Sequence, residues 1–355
     1  MRVGIVGGGQ LARMLALAGI PLGLHFVFLD PAKDACAAEL GEHLCGDYDD
    51  ERLLAQIAER CDVVTYEFEN VPETSIEFLS ARVPVFPDAR ALATARDRLN
   101  EKSLFRELDI DTVPFVPVDS LSTLQQAVTT TGLPAVLKTR TMGYDGKGQA
   151  VLREEADIEK AWRELGGVPL ILEGFAEFRR EVSMIAVRGR DGEERFYPLA
   201  ENIHRDGILH ISRSRPGDAL EKQAQEYAKR LLEKLDYVGV MALELFDTGD
   251  ELLANEMAPR VHNSGHWTIE GCVCSQFENH MRAVVGLPLG ATDATGAAAM
   301  VNFIGEIPPA EQLLALPGVH LHDYSKAAKP GRKVGHVTIV SKDDSEATIP
   351  DALLR

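Results

Sequence analysis

The stretch that decides the fold of the first part of the chain is Met1-Arg2-Val3-Gly4-Ile5-Val6-Gly7-Gly8-Gly9-Gln10-Leu11-Ala12. The apolar run at 2–6 predicts a buried strand, and the glycines after it lead into a helical pattern at about 10–19. The alternation continues, with strands predicted at 24–29, 62–66 and 83–86 and helices at 50–60 and 73–81. Strands that alternate with helices form a parallel sheet covered by helices, so the fold class here is α/β.

The glycine loop fits the pattern Gly-x-Gly-x-x-Ala at Gly7, Gly9 and Ala12, and Asp30 ends the second predicted strand. A dinucleotide-binding fold places its ribose carboxylate at that point. One hypothesis is therefore a nicotinamide-dependent oxidoreductase. Because the pattern serves any phosphate at a helix N-terminus, a mononucleotide fits equally well, and a tight turn without a ligand is the plain structural alternative.

The character of the chain changes near residue 95. A charged amphipathic helix follows at 97–108, and 120–173 holds two predicted helices and two strands around a second glycine loop. Residues 181–257 indicate a mostly antiparallel sheet, with Asp-Gly hairpin turns at 191–192 and 206–207. The later part of the chain is therefore α+β, and three domains are expected, at 1–95, 96–290 and 291–355, the last small and β-rich.

The composition excludes several classes of protein. The 355 residues include 37 Lys and Arg against 55 Asp and Glu, for a formal net charge of −18. Such an acidic chain argues against a nucleic-acid partner. It shows no secretory signal and no apolar stretch of the ~18–20 residues that span a membrane. The five cysteines form neither a CxxC pair nor a ligand series, which indicates a reducing, cytoplasmic setting.

The second glycine loop is Lys138-Thr139-Arg140-Thr141-Met142-Gly143-Tyr144-Asp145-Gly146-Lys147-Gly148-Gln149. A strand-terminal lysine usually belongs to a solvated edge, but basic side chains gathered in so acidic a chain favour an anion site. Glycine amides can also wrap phosphate oxygens. The loop lacks the Gly-Lys-Ser/Thr of a P-loop, so we interpret it as a flap over phosphates.

Two predicted strands carry one carboxylate each, Glu244 and Glu256. A three-residue loop that pairs 247 with 251 would set them diagonally on one face, about 7–8 Å apart at Cα. A two-residue turn would instead bring Asn255 to the face of Glu244. Two carboxylates on an apolar face repel unless a cation lies between them, and oxygen ligands favour Mg²⁺ or Mn²⁺ over Zn²⁺. The alternative is a pair of solvent-facing glutamates.

Polar and basic residues follow these strands. Arg260 beside a metal site suits phosphoryl transfer, whereas His262, next to Asn263, fits a hydrogen-bonding role better than that of a base. A basic cluster near the C-terminus is interpreted as a site for a substrate phosphate rather than a solvated face. It comprises Lys326, Lys329, Arg332, Lys333 and His336.

Taken together, these segments resemble the ATP-grasp superfamily and, within it, the 5-(carboxyamino)imidazole ribonucleotide synthetase family. The resemblance spans the whole chain and implies an ATP-grasp fold, with a Rossmann-like pre-ATP-grasp parallel sheet at 1–95, a lid at about 115–175 and a small C-terminal β-rich domain packed on the active site. Five segments carry it: Gly8-Gly9-Gln10-Leu11-Ala12-Arg13-Met14, Tyr66–Asn70, Gly143–Gln149, Asn255–His266 and Pro330–His336.

The resemblance also implies a reaction. Members of that family use Mg-ATP to phosphorylate bicarbonate, and the resulting carboxyphosphate carboxylates 5-aminoimidazole ribonucleotide. The products are N-carboxyaminoimidazole ribonucleotide, ADP and phosphate, in de novo purine biosynthesis. The expected cofactors are ATP and Mg²⁺, or Mn²⁺ in its place, and the expected form is a cytoplasmic homodimer.

Residue roles come from the same resemblance, position by position. It implies ATP binding by Arg98, Lys138, Gly143, Tyr144, Asp145, Gly146, Lys147, Gly148, Gln149, Glu173, Gly174, Phe175, Ala176, Glu181, His204, Asn255 and Glu256. It implies metal binding by Glu244 and Glu256, and catalysis by Arg260, His262, Asn263, Asp145 and Lys147, with Asp145 as the candidate acceptor of the amine proton. It implies substrate binding by Gln10, Leu11, Tyr144, Lys326, Arg332 and Lys333.

Some features stay open. Met142 stands where many relatives have a small residue, and relatives differ around Glu67 and Glu69. The oxidoreductase hypothesis leaves the Lys138 loop and the carboxylate pair unexplained. A non-catalytic nucleotide sensor would lack Arg260 and the basic cluster. A sister ATP-grasp ligase that uses formate on another purine precursor is disfavoured by the segment 332–336.

Overall fold

The computed structural model of the chain describes residues 1–143, 148–249, 251–341 and 346–353. These residues form three β-sheets with helices packed against them. Among the helices described, none is long and apolar enough to cross a membrane.

The first sheet is parallel, which confirms the prediction from the alternating pattern. Its strands are Arg2–Val6 (β1), His25–Asp30 (β2), Glu42–Cys45 (β3) and Val63–Tyr66 (β4). They lie in the order β3-β2-β1-β4, and every pairing is parallel. The helices of this part of the chain are Gln10–Gly19 (α1), Glu51–Arg60 (α2), Glu73–Ser80 (α3) and Ala89–Arg96 (α4).

One strand prediction in this region is wrong, and one strand of the sheet was not predicted. The run at 83–86 forms no full strand, and its Val85 makes only an isolated parallel bridge with Val64. Pro84 and Pro87 lack the amide hydrogen that a ladder needs, so pairing stops after one bridge. The edge strand β3 is absent from the prediction because its sequence, Glu-His-Leu-Cys, lacks an apolar run.

The second sheet is antiparallel and corresponds to the unit predicted at 120–173. Its strands are Phe115–Val118 (β5), Ala135–Thr139 (β6), Gln149–Leu152 (β7) and Leu170–Gly174 (β8), in the order β5-β8-β6-β7. Two helices belong to it, Leu121–Thr131 (α6) and Asp157–Leu165 (α7), and Arg98–Glu107 (α5) precedes it in the chain. Both predicted helices and both predicted strands of this unit are confirmed to within two residues.

The third sheet is antiparallel and has nine strands among the described residues. The predicted Asp-Gly turns at 191–192 and 206–207 each join two of its paired strands, as expected. Helix α8 (Glu221–Lys234) lies between the fourth and fifth strands in the chain. The strands are Arg180–Arg188 (β9), Glu194–Phe196 (β10), Leu199–Arg205 (β11), Ile208–Arg215 (β12), Gly239–Asp247 (β13), Leu252–Ala258 (β14), Ala297–Ile304 (β15), Val319–Asp323 (β16) and Lys333–Ser341 (β17).

The β-rich C-terminal part joins this third sheet through the pairing of β12 with β15. The strand order is β14-β13-β9-β11-β12-β15-β17-β16, with β10 added beside β9. The sequence predicts that 291–355 is β-rich but not which strands it pairs with, because pairing between distant segments leaves no local pattern. As a result, the basic cluster, which ends within β17, is carried by the same sheet as Glu244 and Glu256.

A shared core joins the first and third sheets. The helix Gln276–Val285 (α10) packs between these two sheets. The short helix Thr268–Gly271 (α9) precedes α10 in the chain, and the short helix Ala310–Leu314 (α11) follows it. His280 in α10 donates through Nε2 to Thr65 Oγ1 of β4 at 2.9 Å, and its Nδ1 accepts from the Val240 amide of β13 at 3.0 Å. These contacts fix the first sheet relative to the strand that carries Glu244.

Candidate active site

One cleft of about 810 Å³ opens where the three sheets meet. Many residues that the resemblance assigns to the site line it, although they come from every part of the chain. The assigned residues in its wall are Gln10, Leu11, Arg98, Lys138, Gly143, Gln149, Phe175, Glu181, His204, Glu244, Asn255, Glu256, Arg260, His262, Asn263 and Lys333.

Several other assigned residues lie elsewhere. Tyr144, Asp145, Gly146 and Lys147 are outside the described residues, so the flap interpretation and the role of Asp145 stay predictions. The assigned residues that are described but are not part of the cleft wall are Gly148, Glu173, Gly174, Ala176, Lys326 and Arg332.

The two carboxylates face each other across β13 and β14. Glu244 is directly opposite Glu256, whereas the next pair along is Leu245 with Ala254, so Asn255 is the extra residue of a β-bulge. Both predicted registers are therefore wrong, since one placed the carboxylates diagonally and the other placed Asn255 opposite Glu244. Directly opposed side chains start about 4.5–5.5 Å apart at Cβ, which brings the carboxylates closer than predicted.

Each carboxylate has a nitrogen partner. His262 Nε2 lies 3.0 Å from Glu244 Oε1, and Arg98 Nη1 donates to Glu256 Oε2 at 2.9 Å. Burial raises the pKa of Glu244, but the neighbouring His262 outweighs burial and lowers that pKa to about 2. The Ser264 hydroxyl, 2.8 Å from His262 Nδ1, leaves Nε2 to donate to the carboxylate. Glu244 and Glu256 thus present carboxylate oxygens, the ligand type that hard cations prefer, on facing strands.

Arg260 and Asn263 extend the site beyond the carboxylates. Arg260 Nε donates to Glu69 Oε2 at 2.6 Å, and this pairing outweighs burial and raises the pKa of the guanidinium. Asn263 exchanges hydrogen bonds with Asn302, with Nδ2 to Oδ1 distances of 3.1 and 2.7 Å. The sequence left the role of Glu69 open. In the structure Glu69 binds Arg260 and so orients its guanidinium.

The lysine end of the cleft rests on buried charges. Lys138 Nζ donates to Glu173 Oε2 at 2.9 Å, and Lys102 Nζ lies 3.5 Å from the same oxygen. The other Glu173 oxygen, Oε1, has no hydrogen-bond partner among the described residues although Glu173 is only 3% exposed. Burial opposes ionisation of Glu173, but Lys102 and Lys138 outweigh it and lower its pKa.

Lys102 and its neighbour Glu101 lie outside the motifs from which the site was predicted. Both are buried in α5, and burial, together with the Glu256 carboxylate, raises the pKa of Glu101 to about 8. Lys102 is four residues after Arg98 and therefore on the same helix face, and this spacing could have predicted it.

Phe246, in the cleft wall, was not predicted either, although it is two residues after Glu244 and so on the same strand face. It stacks on Phe178 with ring centroids 4.7 Å apart.

Arg140, one of the basic residues of the second glycine loop, lines the cleft and is also bonded to Asp97. Its guanidinium donates to both Asp97 carboxylate oxygens, with Nε 2.9 Å from Oδ1, and its carbonyl accepts from the Arg98 amide at 2.9 Å. These bonds join the base of the loop to the N-terminus of α5. The next described part of the loop includes Met142, which is exposed and has a φ of +63°, a conformation that favours glycine.

The first glycine loop is occupied by the protein's own carboxylate. Glu67 accepts from the Gly9 amide and, at 2.9 Å, from the Ala12 amide, while Asp30 accepts from the Gly8 amide at 2.8 Å. A side chain at Gly7 or Gly9 would collide with Glu67. The place that a dinucleotide pyrophosphate would take is filled, which contradicts the interpretation of this loop as a nicotinamide site.

The basic cluster is split by the structure. Lys326 Nζ donates to the side chain of Gln10, Arg332 donates to the Ala327 carbonyl at 3.3 Å, and Lys333 lies in the cleft wall. His336 does not belong to the cluster, since it is fully buried against Tyr324, 2.8 Å from its hydroxyl. Burial lowers the pKa of His336 well below its usual range, so the ring is neutral.

Among the described residues, the nine-stranded antiparallel sheet with its facing carboxylates and the four-stranded sheet that carries Lys138 define an ATP-grasp enzyme. Three family models match the chain in succession: a ribonucleotide synthetase preATP-grasp domain at 1–96, an ATP-grasp domain at 103–277 and a phosphoribosylaminoimidazole carboxylase C-terminal domain at 298–349. The chain belongs to the N5-carboxyaminoimidazole ribonucleotide synthase family, which confirms the predicted resemblance and ligase class.

Individual relatives align with nearly the whole length of this chain. The chain is 59% identical over 343 residues to the N5-carboxyaminoimidazole ribonucleotide synthase of Pseudomonas aeruginosa, covering 97% of this chain and 95% of that protein. The solved synthetase from Thermus thermophilus is 56% identical with a TM-score of 0.92, covering 96% of this chain and 94% of that one. The Aspergillus clavatus synthase, solved with ADP and 5-aminoimidazole ribonucleotide, is 33% identical with a TM-score of 0.89 and the same coverage, 96% and 94%.

Proposed function

We propose that this chain carboxylates 5-aminoimidazole ribonucleotide with bicarbonate at the expense of ATP, giving N-carboxyaminoimidazole ribonucleotide, ADP and phosphate. One observation carries the proposal. A single cleft brings a carboxylate pair, Glu244 and Glu256, together with Arg260 and a basic end at Lys333. Membership of the synthase family supplies the substrate, because a relative is solved with ADP and 5-aminoimidazole ribonucleotide.

ATP is proposed to lie along the lid side of the cleft, against Lys138 and Phe175. Glu173, which lies behind the cleft wall, supports this side through the hydrogen bond that it accepts from Lys138 at 2.9 Å. The stacked pair Phe178 and Phe246 adds apolar surface to the same wall. We keep the other ATP contacts implied by the resemblance, including those of Glu181 and His204, as part of this proposal.

Magnesium is proposed as the cation of the site, held by Glu244 and Glu256. The donor set fits, since two carboxylates on facing strands offer hard oxygen ligands. No group of three or more His, Cys, Asp or Glu suited to a metal occurs among the described residues, so phosphate oxygens and water would complete the coordination. When bound, the ion neutralises charge on the phosphate oxygens of ATP.

The chain's own cations are proposed to serve the phosphoryl transfer from ATP to bicarbonate. The transition state of such a transfer is loose and demands mainly positioned positive charge. Arg260, held by Glu69, and Lys138, held by Glu173, are fixed in orientation before any ligand binds. His262 and Asn263 lie beside Arg260, where carboxyphosphate is proposed to form.

The second step joins the carboxyl group to the substrate amine. The amine nitrogen of the ribonucleotide attacks the carboxyl carbon, the bond from that carbon to the phosphate oxygen breaks, and phosphate leaves while the amine loses a proton. We propose Asp145 as the acceptor of that proton. The ribonucleotide phosphate is proposed to bind at Arg332 and Lys333, with Gln10 oriented by Lys326 at the same end.

Three further points belong to the proposal. The division at 95 and 290 with a lid at about 115–175 is kept, with the third domain sharing the sheet of the second. All five cysteines are free thiols, which suits a reducing cytoplasm. The homodimer is proposed from the resemblance alone.

The decisive experiment is ADP release from ATP with magnesium, in carbon-dioxide-free buffer, with bicarbonate and the ribonucleotide added separately and together. We expect rapid ADP formation only when both are present, and no binding of NADH. The absence of ADP formation under every combination would overturn the proposal. Formate in place of bicarbonate is the control for a sister ligase, and it should not support turnover.

A further inference from the structure

The strand that carries Glu256 is an edge strand of the third sheet, yet its outer edge is not open. β14 ends the strand order, and helix α5 lies along it. Three backbone groups on that edge bond to residues of α5 or the turn after it: the Ala254 amide donates to the Asp111 carbonyl at 2.7 Å, Lys102 Nζ donates to the Asn255 carbonyl at 3.1 Å, and the Met257 amide donates to Glu101 Oε1 at 2.6 Å.

These contacts bracket the bulge. Asn255 is the extra residue, and the two side chains from α5 bind the carbonyl before Glu256 and the amide after it. Near the hairpin turn, Leu245 pairs with Ala254. Without the extra residue this register would continue along the strands and place Asn255, not Glu256, opposite Glu244. The face-to-face position of the carboxylates therefore depends on the bulge.

The bracketing side chains are costly to bury. Lys102 is 0% exposed and Glu101 is 2% exposed. A buried ion is tolerated only with good partners, and those of Lys102 are Glu173 and the Asn255 carbonyl. Lys102 does not line the cleft, so its burial serves the structure around the site rather than contact with a ligand. Glu101 does line the cleft, so its positioning role is judged by comparing Glu101→Ala with Glu101→Gln, which keeps a side chain of the same length there.

We propose that Lys102 and Glu101 are positioning residues for the metal site: by binding the Asn255 carbonyl and the Met257 amide they hold the β-bulge that sets Glu256 opposite Glu244. This inference rests on the proposed function, because it assumes that the two carboxylates hold magnesium. It assigns no contact between Lys102 and any substrate.

The test measures ADP binding by calorimetry, once with magnesium and once with EDTA. The ratio of the two association constants, the magnesium enhancement, isolates the metal site from direct nucleotide contacts. Lys102→Met removes the donor at similar length, and Glu101→Ala removes the acceptor without touching Glu173. We expect each variant to lower the enhancement about tenfold, the factor that corresponds to about 1.4 kcal/mol.

Conservative variants and a matched control complete the design. Lys102→Gln keeps a donor and Glu101→Gln keeps an acceptor, so both should retain most of the enhancement. Phe105→Leu, at a fully buried position on the same helix, destabilises α5 without removing either hydrogen bond to the bulge and should leave the enhancement unchanged. If Lys102→Met does not fold, the positioning role is tested by Glu101→Ala together with Glu101→Gln.

The possible results distinguish a failure of the positioning role from a failure of the proposed function. An unchanged enhancement in Glu101→Ala, or an equal loss in Phe105→Leu, would overturn the positioning role. Loss of ADP affinity by the same factor with magnesium and with EDTA would overturn it as well. If the wild-type protein bound no ADP at all, the proposed function itself would fail, and this result is distinct from the others because the assay uses neither bicarbonate nor the ribonucleotide.

Discussion

Acid should weaken the junction between the first and third sheets through His280. Both ring nitrogens are already used by the neutral imidazole, since Nδ1 accepts from the Val240 amide and Nε2 donates to Thr65 Oγ1. Burial lowers the pKa of His280 from 6.5 to about 3. Between these values the unfolded chain binds a proton that the folded chain does not, so this contribution to stability is complete above pH 6.5 and is lost as the pH falls towards 3.

The size of the effect follows from linkage. Each pH unit in this window lowers the free energy of unfolding by about 1.4 kcal/mol for one such proton. A change from about pH 7.5 to about pH 5 crosses roughly 1.5 units of the window, so His280 should cost about 2 kcal/mol.

Urea unfolding at the two pH values, followed by tryptophan fluorescence, measures this cost. In His280→Asn, which cannot titrate, the fall in unfolding free energy should be about 2 kcal/mol smaller than in the wild type. Other buried histidines, such as His266, remain in both proteins and cancel in the difference. His25→Asn, at an exposed position in β2, is the control and should match the wild type. Equal falls in the wild type and His280→Asn would refute the reasoning.

Three predictions address the cleft. Glu256→Gln should reduce magnesium-dependent turnover by more than about 100-fold at an unchanged urea midpoint, and unchanged turnover would show that the carboxylate pair is not the metal site. Arg260→Ala should lower kcat about 10²–10³-fold in ADP-release assays because a fixed positive charge is lost, and a change confined to KM would contradict this. Arg332→Ala should raise KM for the ribonucleotide about tenfold and spare KM for ATP, and equal effects on both substrates would move the phosphate site.

The parallel sheet and the hairpins were predictable because their causes are local. Apolar runs, helical periods and Asp-Gly turns each lie within a few residues of the element that they specify. The register of Glu244 and Glu256 has no such local cause. It depends on a bulge whose carbonyl is bound by Lys102, 153 residues earlier in the chain, and no pattern within the hairpin encodes that contact.

The first glycine loop shows that a motif can report a physical requirement without naming the ligand. Glycine at 7 and 9 is required because an acceptor approaches the loop backbone closely, and this much the pattern conveys. Here the acceptor is Glu67 of the same chain, which takes the Gly9 and Ala12 amides at the start of α1. With its amides satisfied internally, the loop is free to present Gln10 to the cleft, where Lys326 binds it. The same geometry that accommodates a dinucleotide elsewhere therefore builds one wall of the cleft here, and only the position of Glu67 in three dimensions distinguishes the two.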